Sequence, residues 1–166
     1  MINNEFNIES IEYNQYLLNK YPWLKVHGYE NCNEFTALSS EMPIGWQIRF
    51  GEELCEEIDQ ELIKEGIRDT YFLYQVKEKF GSLRWYGSVD TPQLNAIIDK
   101  YEEISSHTCI TCGKEATYMS KNGWISPFCD DCVNRYASNT LKIFPNKGNQ
   151  TIEDIINKEF RKITKE

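Results

Sequence analysis

Cys109-Ile110-Thr111-Cys112, then sixteen residues, then Cys129-Asp130-Asp131-Cys132: this stretch decides how the chain is read. Its spacing, C-x2-C-x16-C-x2-C, falls in the range of structural zinc sites. Each C-x2-C turn directs two sulfurs to one side, and two such turns complete a tetrahedron with bonds of about 2.3 Å. Gly113, directly after the first pair, permits the sharp bend of a knuckle. Residues 115–128, with Asn122-Gly123 in the middle, carry the pattern of a β-hairpin. Asp130 is placed to cap a short helix running through Arg135 and Tyr136, with Cys132 in its first turn. Knuckle, hairpin and helix in that order make a treble clef. Four thiolates leave no open coordination position, so the expected Zn2+, one per chain on Cys109, Cys112, Cys129 and Cys132, is structural. Folding of this region should then depend on metal. Lys114, Lys121 and Arg135 are candidates to offset the negative charge of a zinc tetrathiolate. Two disulfides, or a thioredoxin-like redox pair, are the alternatives. The first needs an oxidising compartment, and the second uses one C-x2-C, not two.

The other two cysteines and both histidines carry less. Cys55 falls on the apolar side of a helix and reads as a small buried residue, whereas Cys32 lies in an irregular segment with no evident role. His107, two residues before Cys109, could replace a cysteine as ligand but reads better as a surface histidine.

The chain around the cysteines has the size of one ordinary domain. Its 166 residues hold 18 Lys+Arg against 26 Asp+Glu, a net charge of −8, with 40% hydrophobic and 13% aromatic residues. That is too apolar for simple disorder. No apolar run approaches the roughly 18–20 residues of a membrane span. Met1-Ile2-Asn3-Asn4-Glu5 has neither the basic start nor the apolar stretch of a secretion signal, and a cytoplasmic location is expected. General DNA binding is disfavoured, because phosphate contact needs a basic face. The acidity is concentrated: residues 1–70 hold 14 acids and 5 bases, while residues 141–166 are mildly basic. The densest run is Glu52 to Glu61, which reads either as a solvated helix face or as a surface that competes for a basic partner.

Local patterns predict an α+β body. A helix is expected over Ser10–Lys20, closed by Pro22, with Ile11, Tyr16 and Leu17 as partial apolar spacing. Residues 25–45 look irregular. A longer helix should run from about Trp46 or Gly51 to Glu65, with Leu54, Cys55, Ile58 and Leu62 as its buried stripe and Gly66 as its C-terminal cap. Tyr71–Val76 and Leu83–Tyr86 read as strands joined by a turn at Lys79-Phe80-Gly81-Ser82. Thr91 and Pro92 open the next helix, which leads into Ser105-Ser106-His107. A last helix is expected from Thr151 to about Lys165, after a loop over Phe144–Asn149. The expected division is a body over 1–108, a zinc module over 109–140, and a C-terminal helix within 141–166 that packs on the body.

The hairpin, Gln75-Val76-Lys77-Glu78-Lys79-Phe80-Gly81-Ser82-Leu83-Arg84-Trp85-Tyr86, is the second distinctive stretch. Alternation puts Lys77 and Lys79 on one side of their strand, with Arg84 and Tyr86 sharing a side of the partner. Cations take phosphate charge and rings stack on bases, so Lys77, Glu78, Lys79, Arg84, Trp85 and Tyr86 are candidate ligand-binding residues, with a nucleotide as ligand. The bland alternative is cross-strand pairing of Glu78 with Lys79 or Arg84, with the aromatics filling core. No nucleophile elbow, phosphate-binding glycine loop or metalloprotease motif occurs.

Gly45-Trp46, this hairpin, Ser105–Gly113, Gly123-Trp124 and Cys129–Cys132 together resemble an uncharacterised family of bacteria, phages and prophages. That family pairs a Lys-Glu-Lys-Phe-Gly hairpin with a C-terminal four-cysteine zinc module, and the resemblance covers residues 45–132. It implies a context and no reaction: a small accessory protein, phage- or prophage-encoded, that binds and inhibits a host component, possible antiviral defences included. A host protein is the partner this implies, beside the nucleotide that the hairpin residues suggest. Two other classes stay open: an enzyme on nucleotides or nucleic acid using Glu78 as acid–base, and a regulatory zinc protein that grips nucleic acid.

Overall fold

The computed structural model describes residues 7–121, 123–143 and 148–164. Its α-helices are α1 (Ile11–Lys20), α2 (Ala37–Glu41), α3 (Ile44–Trp46), α4 (Glu52–Glu65), α5 (Pro92–Ser106), α6 (Asp130–Ile143) and α7 (Ile152–Glu159). The strands are β1 (Leu73–Lys79), β2 (Ser82–Gly87), β3 (Tyr118–Ser120), β4 (Pro127–Phe128) and β5 (Phe160–Lys162). β1 and β2 form an antiparallel hairpin; β4, β3 and β5 form a second antiparallel sheet in that order. The chain is therefore α+β, with its four clustered cysteines toward the C-terminal end. Among the described residues no helix is long and apolar enough to cross a membrane.

The local signals set most of the body. Ser10 caps α1 by accepting from the Tyr13 amide, and Thr91 caps α5 by accepting from Leu94. Gly66 ends α4 in the left-handed conformation, φ 72°. The apolar side of α1 is Tyr13, Leu17 and Leu18, leaving Ile11 exposed, so the stripe is rotated from the expected one. Residues 25–45 are not wholly irregular: Thr36 and Ser39 form a reciprocal capping box that starts α2. α3 and α4 are joined through a π-helical turn at Gln47–Gly51, so one helical path runs from Ile44 to Glu65.

Trp46, Phe50, Leu54, Ile58 and Leu62 project from that path into the main core. Tyr13, Leu17, Tyr21, Leu24, Leu73, Val76, Leu83, Trp85, Leu94 and Tyr101 close around them. The hairpin's outer edges are covered by side chains. Glu41 of α2 accepts from the Val76 amide at 3.1 Å, and Ser105 of α5 accepts from the Leu83 amide at 2.8 Å. Neither edge is left as a bare row of donors.

The C-terminal segment departs from expectation. Helix α7 stops at Glu159, and Phe160 turns into β5, which pairs with β3 through Ser120↔Phe160, Met119↔Arg161 and Tyr118↔Lys162. Ile155, Ile156 and Phe160 pack on Val133 and Ala137 of α6, not on the main core. The physical reason is the partner available: α6 is longer than expected and offers a second apolar stripe, and β3 offers an open edge. The expected turn residue Asn122, residues 144–147 of the expected loop, the start Met1–Glu5 and Lys165 lie outside the described residues.

Candidate metal centre and the hairpin beside it

The four cysteine sulfurs lie within 4.8 Å of one another, with Cys112 and Cys129 Sγ 3.5 Å apart. A tetrahedron with bonds of about 2.3 Å has edges of about 3.8 Å, so the cluster has the size of a tetrathiolate cage. Local backbone explains the convergence. In the first knuckle, the Cys109 amide donates to Lys114 O (2.8 Å) and the Gly113 amide to Cys109 O (3.0 Å), with Gly113 at φ 78°. The second pair sits at the start of α6, where Val133 N donates to Cys129 O at 2.9 Å. Cys129, not Asp130, thus holds the cap position, and the Asp130 carboxylate accepts instead from Thr117 Oγ1 (2.8 Å).

The donor set fits a cation. Burial pushes the Cys112 and Cys132 thiols up, and the neighbouring sulfurs push Cys132 further. Burial acts upward on Cys109 too, but amides of Cys129, Cys112 and Thr111 outweigh it and bring that thiol down to about 7. Four thiolates gathered this closely repel one another, and a cation at their centre offsets that charge. None of the six cysteines is disulfide-bonded. Cys109, Cys112, Cys129 and Cys132 thus form a cluster at metal-binding distance.

Of the three cations expected nearby, Arg135 Nη2 donates to Cys132 Sγ at 3.2 Å. Lys114 pairs with Asp131 at 3.1 Å, and Lys121 donates to Asn157 O. His107 stays outside the cluster and meets Glu103 at 3.3 Å. Cys55 is fully buried on α4, its thiol driven well above the usual range by burial and then by the charge of Glu52. Cys32 is part-exposed, its amide bonded to Tyr29 O.

The knuckle is clasped to the body through backbone. Gly45 N donates to Ile110 O at 2.9 Å, and Trp46 Nε1, on a fully buried ring, donates to Thr108 O at 2.9 Å. A Cβ on Gly45 would stand 2.1 Å from Cys109 O and 2.6 Å from the Ile110 carbonyl carbon; one on Gly113 would stand 2.6 Å from Gly45 O. Two glycines far apart in sequence thus let two backbones touch. No local pattern marks Gly45 for this, because the contact is non-local.

The hairpin candidates fall into two groups. Lys77 faces Arg84 across the ladder, as alternation requires, and Lys77 Nζ lies 5.5 Å from the centre of the Tyr86 ring. Like charges directly opposite are unfavourable, and Arg84 is drawn away to Glu102 of α5 and to Ser82 Oγ. Trp85 is only 6% exposed; its Nε1 donates to Tyr71 Oη at 3.0 Å and its ring meets Trp23 edge-on. Glu78 Oε1 accepts from Gly81 N at 2.5 Å, closing the turn, and Oε2 accepts from Trp124 Nε1 in the β3–β4 loop. Glu78, Arg84 and Trp85 therefore serve the fold, whereas Lys77, Lys79 and Tyr86 remain at the surface. Gly81 (φ 84°) brings the tip against the Met119 sulfur.

The acidic run of α4 is largely turned inward to partners. Glu52 accepts from Tyr16 Oη (2.5 Å) and Lys20, Glu56 from Tyr21 Oη (2.6 Å), Glu57 from Lys100 and Tyr101, and Asp59 from Trp23 Nε1 and Arg68. Glu53 stays exposed, 4.0 Å from Arg49.

Two large apolar side chains are left in the open beside the knuckles: Trp124, 74% exposed, and Phe80, 70% exposed. With Lys79, Gly123 and Ile125 they line a cavity of about 230 Å³. No protein-family model, curated protein or solved structure matches the chain.

Proposed function

We propose that this chain is a zinc-clamped binding protein without catalytic activity, phage- or prophage-encoded, that inhibits a host component by protein–protein contact in the cytoplasm. The observation that carries the reading is the division of labour at the hairpin. Of its distinctive charged residues, Glu78 and Arg84 are engaged inside the molecule, while Phe80 and Trp124 stand exposed side by side. Burying such rings against a partner is where binding free energy concentrates. Zinc is the ion this donor set suits best, because four clustered thiolates at tetrahedral size favour a soft-to-borderline ion with no open position.

The competing classes have less support. The acid–base candidate Glu78 has both carboxylate oxygens engaged, and Trp85 is withdrawn from any stacking role. The acids of α4 hold Tyr16, Tyr21, Lys20 and Lys100, so an acidic docking face would compete with the protein's own packing. The test has two readouts. Metal analysis of the purified chain should give one zinc, lost in a Cys109→Ser/Cys129→Ser variant. Capture from host lysate should give one partner in stoichiometric amount, with no product formed from nucleotides and divalent metal. Turnover that disappears in Glu78→Gln would overturn the reading.

A further inference from the structure

Phe80 is an anomaly. It is the one non-glycine residue with positive φ (54°) among the described residues, and its ring is 70% exposed. The left-handed region is sterically unfavourable for a bulky L-residue, and asparagine or glycine would suit the turn better. The core does not use the ring, so neither packing nor turn geometry explains a phenylalanine there. Trp124 lies across the same cavity with its one polar atom already satisfied by Glu78, which fixes the indole and leaves its faces apolar. The cavity, at about 230 Å³, is smaller than the roughly 300 Å³ at which small-molecule sites begin. It has room for an anchoring side chain, not for a cofactor.

The rim carries one cation, with a second on the adjacent sheet. Lys79 lines the cavity, its Nζ 5.4 Å from the centre of the Phe80 ring. Arg161 is opposite Met119 in the β3–β5 pair, so both take one face of that sheet, and it is Met119 that touches the hairpin tip at Gly81. Arg161 is exposed, and neither cation has a carboxylate partner among the described residues.

We infer that the Phe80–Trp124 cavity is a docking site for a protein segment that inserts one large apolar side chain and flanks it with aspartate or glutamate. This rests on the binding-protein reading and names its partner chemistry. Single-stranded nucleic acid, which also stacks on aromatics, is the less favoured occupant: the walls are apolar, and the single cation lining the cavity, Lys79, is too few to track a phosphate backbone.

The test uses the full zinc-loaded chain and labelled short peptides with a central leucine, phenylalanine or serine flanked by aspartates or by lysines. A mixed-sequence single-stranded oligonucleotide is run beside them. Aspartate-flanked leucine or phenylalanine peptides should bind, and the serine and lysine versions should not. Phe80→Asn keeps the turn, because asparagine tolerates positive φ, and should weaken binding at least about tenfold with a melting temperature equal to or above that of wild type. Lys79→Glu should reverse the flank preference. Peptide binding unaffected by Phe80→Asn, or oligonucleotide binding in place of peptide binding, would overturn the inference. If Phe80→Asn and wild type capture the same lysate protein equally, the site is wrong and the binding-protein reading stands. If wild type captures nothing, that reading falls.

Discussion

Replacing Gly45 with alanine adds one methyl group at the most constrained point of the molecule. The added carbon would lie 2.1 Å from Cys109 O and 2.6 Å from the Ile110 carbonyl carbon, both backbone atoms that no rotamer change can remove. The knuckle would have to retreat by roughly 1 Å to reach ordinary contact, and forced overpacking of this kind costs roughly 1–3 kcal/mol. Retreat also stretches the Gly45–Ile110 hydrogen bond and the Trp46–Thr108 hydrogen bond, at about 1 kcal/mol each. A loss of about 3–5 kcal/mol follows, a large share of a typical domain stability of roughly 5–15 kcal/mol. Urea denaturation at saturating zinc measures the loss, and the rate of zinc transfer to a chromogenic chelator should rise in parallel. Gly51→Ala is the control, since its nearest neighbours stand 3.6–4.0 Å away in a helical stretch. There alanine should be neutral or stabilise by up to about 1 kcal/mol. A Gly45→Ala protein within about 1 kcal/mol of wild type, with unchanged zinc release, would refute the clasp.

Other perturbations separate the remaining parts of the argument. Chelation should expose the α6–α7–β5 core as well as the knuckles, which hydrogen exchange of Ile155 and Ile156 would report; protection retained without metal would contradict it. Glu78→Ala should cost about 1–2 kcal/mol and free the Trp124 indole, read as a red-shifted, more quenchable emission, because Gly81 N and Trp124 Nε1 both lose their acceptor. The Tyr21 hydroxyl and then the Gln60 amide hold the Glu56 carboxyl below its ordinary 4.5. A depressed folded-state value stabilises the protein above the unfolded-state value and is lost as pH falls through the lower one. Tyr21→Phe should therefore destabilise at pH 7 and converge with wild type at low pH; an equal deficit at both pH values would sink the linkage.

Much of the body was legible because its signals are local. Ser10, Thr91 and Gly66 mark ends through their own neighbours, and Leu54, Cys55, Ile58 and Leu62 repeat at helical spacing and are buried as expected. The cysteine spacing located the four-cysteine cluster for the same reason: each pair sets its own turn. What escaped was set by distant partners. The Thr151–Asp154 capping box correctly starts α7, yet nothing within residues 151–165 announces that Phe160 will leave the helix for the edge of β3. The charged hairpin looked like a binding surface because Glu102, Tyr71 and Trp124, which engage it, come from three other parts of the chain. Glu52 to Glu61 looked solvated because its tyrosines lie a helix away.

The clasp at Gly45 also fixes an order of assembly. Trp46 and its acceptor at Thr108 are separated by 62 residues. On the ribosome, α1 to α4 emerge and collapse while Trp46 still lacks the carbonyl its indole needs, and the ion cannot be captured until Cys129 and Cys132 have followed. Chain closure over such separations is slow relative to local helix formation. The nascent protein therefore passes through a state whose body is shaped but not latched, and that state lasts at least until residues 108–113 have emerged to meet Gly45 and Trp46.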